Sequence, residues 1–200
     1  VGDFLYSRSF QMMVSINSMR VMEILSHTTN TIAEGEVMQL MNVGVAETSE
    51  QSYFETIQRK TAILFEAAAQ LGAVATDQSS AIEQAMRDYG LNLGIAFQLV
   101  DDVLDYTADP EEMGKNVGDD LAEGKPTLPL IHALARAEDD DKSIILNAIE
   151  NADRSNFDNV FKIIESTGAL AYTARQAREH AQLAQDALAI VPESAWKKAM

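Results

Sequence analysis

Residues 94–134 read GIAFQLVDDVLDYTADPEEMGKNVGDDLAEGKPTLPLIHAL. Apolar residues at helical spacing open this stretch, and three aspartates, Asp101, Asp102 and Asp105, follow close together. At ~100° per residue, Gln98 and these aspartates share about a third of the helix circumference. Apolar side chains fill the rest: Ala96, Leu99, Val100, Val103 and Leu104. One face of the predicted helix therefore packs, and the other presents carboxylates.

Carboxylates this close on one helix face repel each other and lower the stability of the helix. A bound cation offsets that repulsion, and ligands that are all oxygen suit Mg²⁺ or Mn²⁺. Mg²⁺ keeps several water ligands and is usually shared between carboxylates and substrate phosphates. The alternative is a solvated acidic face on an acidic protein, and the three aspartates by themselves leave both interpretations open.

The segment after the aspartates is acidic, yet it carries Lys115 and Lys125, each directly after a glycine. Glycine lets the backbone approach an anion closely, and lysine offers a point charge to a phosphate group. The alternative is that both lysines pair with neighbouring carboxylates.

A second unusual pattern lies in residues 56–70, TIQRKTAILFEAAAQ. On a regular helix, Lys60 and Thr61 share the face of the apolar residues Ile57, Leu64, Phe65 and Ala68. The opposite face carries Arg59, Glu66 and Gln70. A lysine on a packing face costs desolvation energy unless an anion meets it, although a lysine that extends its amine to solvent is the alternative. Together, the lysines and aspartates predict a cavity among helices that binds a divalent cation and phosphate groups.

Composition limits the class of protein. The 200 residues, 46% of them hydrophobic, fit one domain, 1–200. A formal net charge of −16 repels nucleic-acid phosphates and anionic lipids, so neither is an expected partner. The absence of cysteine excludes disulfides and thiol chemistry. No apolar run is long enough to cross a bilayer, so stable membrane insertion is not expected.

Helical periodicity runs through almost the whole chain, and strand signals are weak, so the predicted fold class is all-α. The one long irregular stretch, 107–126, has a length typical of functional loops. Helices are predicted over residues 3–19, 19–43, 52–75, 79–106, 127–137, 142–151, 156–166 and 168–191.

Several motifs occur in the order and at the spacing of a known family. They are VGDFLYSRSFQMM, AEGEVMQLM, KTAILFEAAAQLGA, GIAFQLVDDVLDY and GKNVGDDLAEGKPTLPL. With them the chain resembles the trans-type polyprenyl diphosphate synthases, and most of all the bacterial octaprenyl diphosphate synthases. The resemblance implies an antiparallel helix bundle of the isoprenoid synthase type around a central cavity, in a homodimer.

The resemblance also implies a metal site. FQLVDDVLD resembles the second aspartate-rich motif of the family, in which Asp101, Asp102 and Asp105 would hold Mg²⁺ (Mn²⁺ being a possible substitute) that bridges to an allylic diphosphate. Asp119 matches an acidic position near the metal.

Five further residues match family positions that contact the substrate. Lys60, Lys115 and Lys125 match lysines that grip the diphosphate, and Asp101 would reach it through the metal. Thr61 and Gln98 match polar residues that face the developing allylic cation. Lys60, Thr61 and Gln98 are therefore the predicted catalytic residues.

The implied activity is Mg²⁺-dependent prenyl transfer. An allylic prenyl diphosphate and isopentenyl diphosphate would condense to a long-chain all-trans polyprenyl diphosphate, with octaprenyl as the expected length and a ubiquinone side chain as its expected use. The first aspartate-rich motif of the family is absent from these residues, and so are the family's N-terminal helices. We therefore expect that this chain alone does not catalyse elongation. The expected location is the cytoplasm.

Three alternatives remain. A noncatalytic helical subunit of a heteromeric prenyl synthase would keep the fold but would not need the lysines and aspartates. A metal-dependent terpene cyclase uses similar helices, although the two Gly-Lys pairs favour the elongating enzymes. A helical interaction module with an acidic surface would bind no diphosphate at all.

Overall fold

The computed structural model describes residues 1–107 and 117–200. Over these residues it contains α-helices and no strands, which confirms the predicted all-α fold class. We number the helices α1 Gly2–Ser15, α2 Met19–Asn42, α3 Glu50–Ile57, α4 Ile63–Ala75, α5 Ser80–Thr107, α6 Asp119–Ala122, α7 Leu128–Arg136, α8 Asp139–Glu150, α9 Phe157–Ser166, α10 Ala169–Ala187 and α11 Ala195–Ala199. Two 3₁₀ turns, Arg154–Asn156 and Leu188–Ile190, precede α9 and follow α10.

Helix α5 is the centre of the fold. It packs along α4 on one side and along α10 on the other, and α2 packs on the far side of α4. Its inward residues Ile95 and Leu99 are buried with Ile57, Leu128 and Ala177 from three other helices. A second core lies among the five helices α6, α7, α8, α9 and α10. It includes Leu121, Leu130, Ala133, Ile145, Ile149, Val160 and Ile164. No helix in the described part of the chain is long and apolar enough to span a membrane.

A π-helical turn, Gln58–Ala62, joins α3 to α4. The sequence predicts one regular helix over this region, and that prediction is wrong at this turn. A π turn holds an extra residue, so every later side chain is rotated by ~100° about the helix axis. As a result Leu64, placed on the packing face from sequence, is 52% exposed, whereas Gln70, placed opposite, is 6% exposed and donates to Glu83 at 2.6 Å.

Two glycines let neighbouring helices approach this π turn. A Cβ on Gly35 of α2 would lie 2.5 Å from the backbone nitrogen of Lys60, and one on Gly94 of α5 would lie 2.6 Å from Cα of Ala62. Real Cβ atoms do not come this close to backbone atoms. The π turn is therefore held between two helices, and Lys60 lies at the contact.

The other predicted boundaries agree with the structure to within a few residues. The short helix α6 lies inside the stretch predicted to be irregular, and α11 was not predicted at all. Four residues are too few to produce a recognisable apolar repeat, and α11 buries none of its side chains.

We expect Gly35→Ala to lower the free energy of unfolding by roughly 1–3 kcal/mol, because the new methyl group overpacks against the π-turn backbone. Gly72→Ala is the matched control, since nothing lies within 4 Å of its Cβ position. Inside α4 the control should stabilise by about 0.5–1 kcal/mol. Urea denaturation followed by circular dichroism measures both, and equal effects of the two substitutions would contradict the packing at the π turn.

Candidate functional site

A cavity of about 190 Å³ opens between α2, the α3–π segment, α5 and the residues that precede α7. It is lined by Gln39, Asn42, Thr48, Tyr53, Thr56, Ile57, Lys60, Thr61, Gln98, Asp101, Asp102, Asp120, Lys125, Pro126 and Thr127. Most of these side chains are polar, and they come from parts of the chain far apart in sequence. The fold therefore concentrates charged groups around one small space.

Lys60 enters this cavity from the π turn. Its Nζ donates to Oε1 of Gln39 at 2.7 Å and lies 3.3 Å from a carboxylate oxygen of Glu36. Both partners belong to α2, and the Lys60 side chain is 30% exposed. Lys60 is therefore half-buried against α2, away from the exposed Leu64 with which the sequence grouped it, and polar groups of α2 satisfy its amine.

Lys125 approaches from the other side, on the segment between α6 and α7. Its Nζ pairs with Glu123 and lies 3.4 Å from Oδ1 of Asp120. Burial acts to lower the pKa of Lys125, but the hydrogen bond and charge of Glu123 together with the charge of Asp120 outweigh it, so the pKa is raised. Lys125 is therefore a firmly protonated cation at the cavity.

Asp102 lies in the cavity wall and is only 1% exposed. Its Oδ2 accepts a hydrogen bond from the hydroxyl of Tyr53 at 2.5 Å, and its Oδ1 accepts one from Nε2 of Gln98 at 2.9 Å. Burial raises the pKa of Asp102 to about 7, although the hydrogen bonds from Tyr53, Gln98 and the backbone of Leu128 act to lower it. Tyr53 is buried too, and burial and the neighbouring Asp102 carboxylate raise its pKa.

Gln98 extends the network towards the π turn. Its Oε1 accepts a hydrogen bond from Oγ1 of Thr61 at 3.3 Å. A continuous chain of hydrogen bonds therefore runs from Tyr53 through Asp102 and Gln98 to Thr61, and it joins α3 and the π turn to α5.

The other two aspartates of the motif have different surroundings. Asp101 lines the cavity, and among the described residues no hydrogen bond or ion pair occupies its carboxylate. Asp105 does not line the cavity, because its oxygens accept from the backbone nitrogens of Asp119 and Asp120 at 3.2 and 3.3 Å. It thus caps the start of α6, and burial raises its pKa to about 6.

The three predicted metal ligands therefore fit a cation unequally. Asp101 presents to the cavity a carboxylate that no residue of 1–107 or 117–200 hydrogen-bonds, whereas hydrogen bonds occupy both oxygens of Asp102 and those of Asp105. Within residues 1–107 and 117–200, no three His, Asp or Glu side chains are grouped as a metal site. One or two carboxylates combined with phosphate oxygens are nevertheless the usual way to hold Mg²⁺. Metal binding by the motif stays a prediction, and the geometry favours Asp101 as its main ligand.

The structure brings most of the predicted site residues to one place. Six of them line the cavity: Lys60, Thr61, Gln98, Asp101, Asp102 and Lys125. Lys115 lies outside the described residues. Asp119 points away from the cavity and lies 3.4 Å from Arg154, and its neighbour Asp120 lines the cavity instead.

Sequence reasoning missed Gln39, Tyr53 and Asp120. The adjacent acidic pair in GDDL signals that one of its two members faces the site, but not which one. Tyr53 gives no signal, because its partner Asp102 is 49 positions away in the sequence.

Comparison with known proteins places this cavity in a family. The profile of the polyprenyl synthetase family matches residues 1–166. The octaprenyl diphosphate synthase of Haemophilus influenzae is 49% identical over all of this chain and 61% of its own length. The all-trans-nonaprenyl-diphosphate synthase of Rhodobacter capsulatus is 40% identical over the same shares of the two chains. The chain thus spans about three fifths of the length of these relatives.

Solved structures agree with the sequence relatives. A polyprenyl synthase from Caulobacter crescentus, crystallised with calcium and isoprenyl diphosphate, superposes with a TM-score of 0.94 at 46% identity. The superposition covers 99% of this chain and 61% of that one. A decaprenyl diphosphate synthase from Rhodobacter capsulatus gives 0.92 at 40% identity, over 99% of this chain and 62% of that one. The chain belongs to the polyprenyl synthetase family, as its motifs predict.

The raised pKa of Asp102 predicts a pH dependence of stability. Because the folded protein holds this proton up to about pH 7 and the unfolded chain releases it near 3.8, stability falls as pH rises between those values. The quantity to follow is the difference in free energy of unfolding between the wild type and Asp102→Asn. We expect this difference to fall by up to about 1.4 kcal/mol for each unit by which the pH rises in this window.

Urea denaturation at several pH values, with a chelator present, measures this difference. Asp139→Asn is the control, because the side chain of Asp139 is fully exposed, and its difference from the wild type should stay almost flat. A wild-type advantage over Asp102→Asn that grows with pH would contradict the burial of Asp102.

Proposed function

We propose that this chain forms the diphosphate-binding wall of a Mg²⁺-dependent trans-prenyltransferase. One observation carries the proposal: Lys60 and Lys125 meet Asp101 at one cavity although they come from three separate segments. Lysines bind phosphate oxygens as point charges, and a carboxylate binds the Mg²⁺ that phosphate brings with it. The names of the relatives and the calcium and isoprenyl diphosphate bound to the Caulobacter protein support the same chemistry.

In this proposal the substrates are an allylic prenyl diphosphate and isopentenyl diphosphate. The bond between C1 of the allylic substrate and the diphosphate oxygen breaks, and its electron pair leaves with the diphosphate. The double bond of isopentenyl diphosphate then supplies the pair that forms the new carbon–carbon bond. The carbocation formed in this step loses a proton, whose C–H electron pair becomes the new double bond, and we assign the departing diphosphate as the proton acceptor. The chain thus needs no nucleophile of its own.

Each cavity residue has a role in this reaction. Lys60 and Lys125 bind the diphosphate and stabilise the charge that develops on it, and Lys115 is proposed to join them. Bound Mg²⁺ would neutralise the same charge as a Lewis acid. Asp101 is proposed as its main ligand.

Thr61 and Gln98 would face the allylic carbon as it becomes positive. Both lie on the cavity wall and are joined by a hydrogen bond of 3.3 Å. Their oxygens carry partial negative charge and need no rearrangement during the reaction, which is the form of electrostatic stabilisation that lowers a barrier most.

The finer assignments rest on the relatives. An octaprenyl product is proposed with the support of identities of 49% and 47% to octaprenyl diphosphate synthases, and its use as a quinone side chain is proposed with it. Homodimer formation and a cytoplasmic location are proposed from the resemblance to the family. The lysines and carboxylates of the cavity argue against a noncatalytic subunit, which would need none of them.

Calorimetric titration of farnesyl diphosphate into the chain, with and without Mg²⁺, tests the proposal. We expect the wild type to bind farnesyl diphosphate only when Mg²⁺ is present. The affinity of Asp101→Asn should be the same with and without Mg²⁺. Lys60→Met and Lys125→Met should each weaken binding by about tenfold or more, because each removes a charge-assisted contact.

Lys142→Met is the matched control, since it removes the same charge from a half-buried lysine of α8 that lies outside the cavity and pairs only with Asp139 among the described residues. Equal affinities of Lys60→Met and Lys142→Met would contradict the assignment of Lys60. An elongation assay with isopentenyl diphosphate on the same samples checks the expectation that these 200 residues do not turn over alone; sustained product formation would contradict it.

A further inference from the structure

The buried Asp102 holds the amide of Gln98 in one orientation. Nε2 of Gln98 donates to Oδ1 of Asp102 at 2.9 Å, which leaves Oε1 on the side of Thr61 and the cavity. An ionised carboxylate only accepts hydrogen bonds, so in that form Asp102 selects the NH₂ end of the neighbouring amide and turns its carbonyl away. Without that carboxylate, the two ends of the amide could exchange.

Tyr53 in turn holds Asp102. Its hydroxyl lies 2.5 Å from Oδ2, and it is itself 5% exposed. The ring packs in the core beside Ile57 and Leu99, so its position is fixed by apolar contacts. With one oxygen held by Tyr53, the Asp102 carboxyl group cannot rotate, and its other oxygen stays beside Gln98.

We propose that Tyr53 and Asp102 are positioning residues that fix the carbonyl oxygen of Gln98 towards the cavity, so that this wall favours a positively charged ligand group over a neutral one. The inference rests on the proposed function, because that function supplies the reason for a positive group at this wall. It assigns to Asp102 a role different from direct metal binding, and it gives Tyr53 a role that no motif indicates.

This arrangement differs from an ordinary buried hydrogen bond in what it controls. A purely structural pair affects the stability of the fold and so changes the binding of every ligand alike. An amide carbonyl aimed at a ligand acts on charge, since its dipole attracts a cation and is almost indifferent to a neutral group of the same shape. The ratio of the affinities for a cationic and a neutral ligand of the same shape therefore distinguishes a positioning role from a purely structural one.

The test uses two diphosphates of nearly equal shape. In 2-(dimethylamino)ethyl diphosphate a protonated nitrogen stands where 3-methylbutyl diphosphate has a neutral carbon. Calorimetry with Mg²⁺ gives the dissociation constant of each for the wild type, Tyr53→Phe, Asp102→Leu and Tyr172→Phe. The last variant is the matched control, because Tyr172 also donates to a carboxylate, that of Glu50 at 2.6 Å, but does not line the cavity.

We expect the wild type and Tyr172→Phe to bind the cationic ligand about tenfold more tightly than the neutral one, the ratio that one hydrogen bond to a charged group supports. Tyr53→Phe should reduce this ratio severalfold, and Asp102→Leu should bring it close to one. Circular dichroism checks that each variant is folded. If Asp102→Leu fails to fold, Tyr53→Phe still tests the inference, because it keeps the buried ring and removes only the hydroxyl group.

Two results would overturn the inference. If Tyr53→Phe and Asp102→Leu bind both ligands with the wild-type ratio, the pair does not set the polarity of the wall. If the wild type binds neither diphosphate, the proposed function fails and the inference fails with it. The neutral ligand separates these cases, because it carries the diphosphate and reports on the lysines alone.

Discussion

A carboxyl group buried between two helices is costly unless all of its oxygens find partners, and Asp102 meets that requirement through Tyr53 and Gln98. Removing one partner of such a buried hydrogen-bonded group typically costs about 1–3 kcal/mol. The contact fixes α3 against α5 at one register. Since Thr61 follows Tyr53 on the same continuous helical segment, that register also places Thr61 opposite Gln98. The geometry of the cavity thus depends on how one carboxyl group is satisfied.

The π turn adds the second requirement. It rotates the chain after Ile57 and brings Lys60 and Thr61 to the cavity side, where α2 and α5 approach through Gly35 and Gly94. A π turn is less stable than a regular helical turn and is often found at functional sites. Here the tight packing of both neighbours maintains it, so the site residues occupy positions fixed by backbone contacts.

The electrostatics of the cavity explain how a chain with net charge −16 offers a site to an anion. Lys60 and Lys125 are each neutralised by carboxylates, Glu36 for the first and Glu123 and Asp120 for the second. Glu36 and Glu123 are exposed, so water solvates them readily when another anion takes their place at the lysine. In the proposed function the diphosphate is that anion, and Mg²⁺ offsets the repulsion from Asp101.

Sequence reasoning reached the long helices and most of the cavity, because both follow from local periodicity. Gln98, Asp101 and Asp102 share a face at helical spacing, and α5 is a regular helix over its whole length. The rotation after the π turn escaped prediction, because it depends on the approach of Gly35 and Gly94 from distant parts of the chain. The distinct environments of the three motif aspartates escaped it as well, since only tertiary contacts separate a cavity-facing carboxylate from a buried one and a capping one.

The most direct measurement is a crystal structure of the chain with Mn²⁺ and a nonhydrolysable thio analogue of farnesyl diphosphate, with the metal located by anomalous scattering. The account predicts Mn²⁺ within about 2.0–2.3 Å of an Asp101 oxygen and of the diphosphate, which contacts Nζ of both Lys60 and Lys125. It also predicts that Asp102 keeps its hydrogen bonds to Tyr53 and Gln98. A diphosphate bound away from the two lysines, or a metal ion held by Asp102 in place of Asp101, would contradict it.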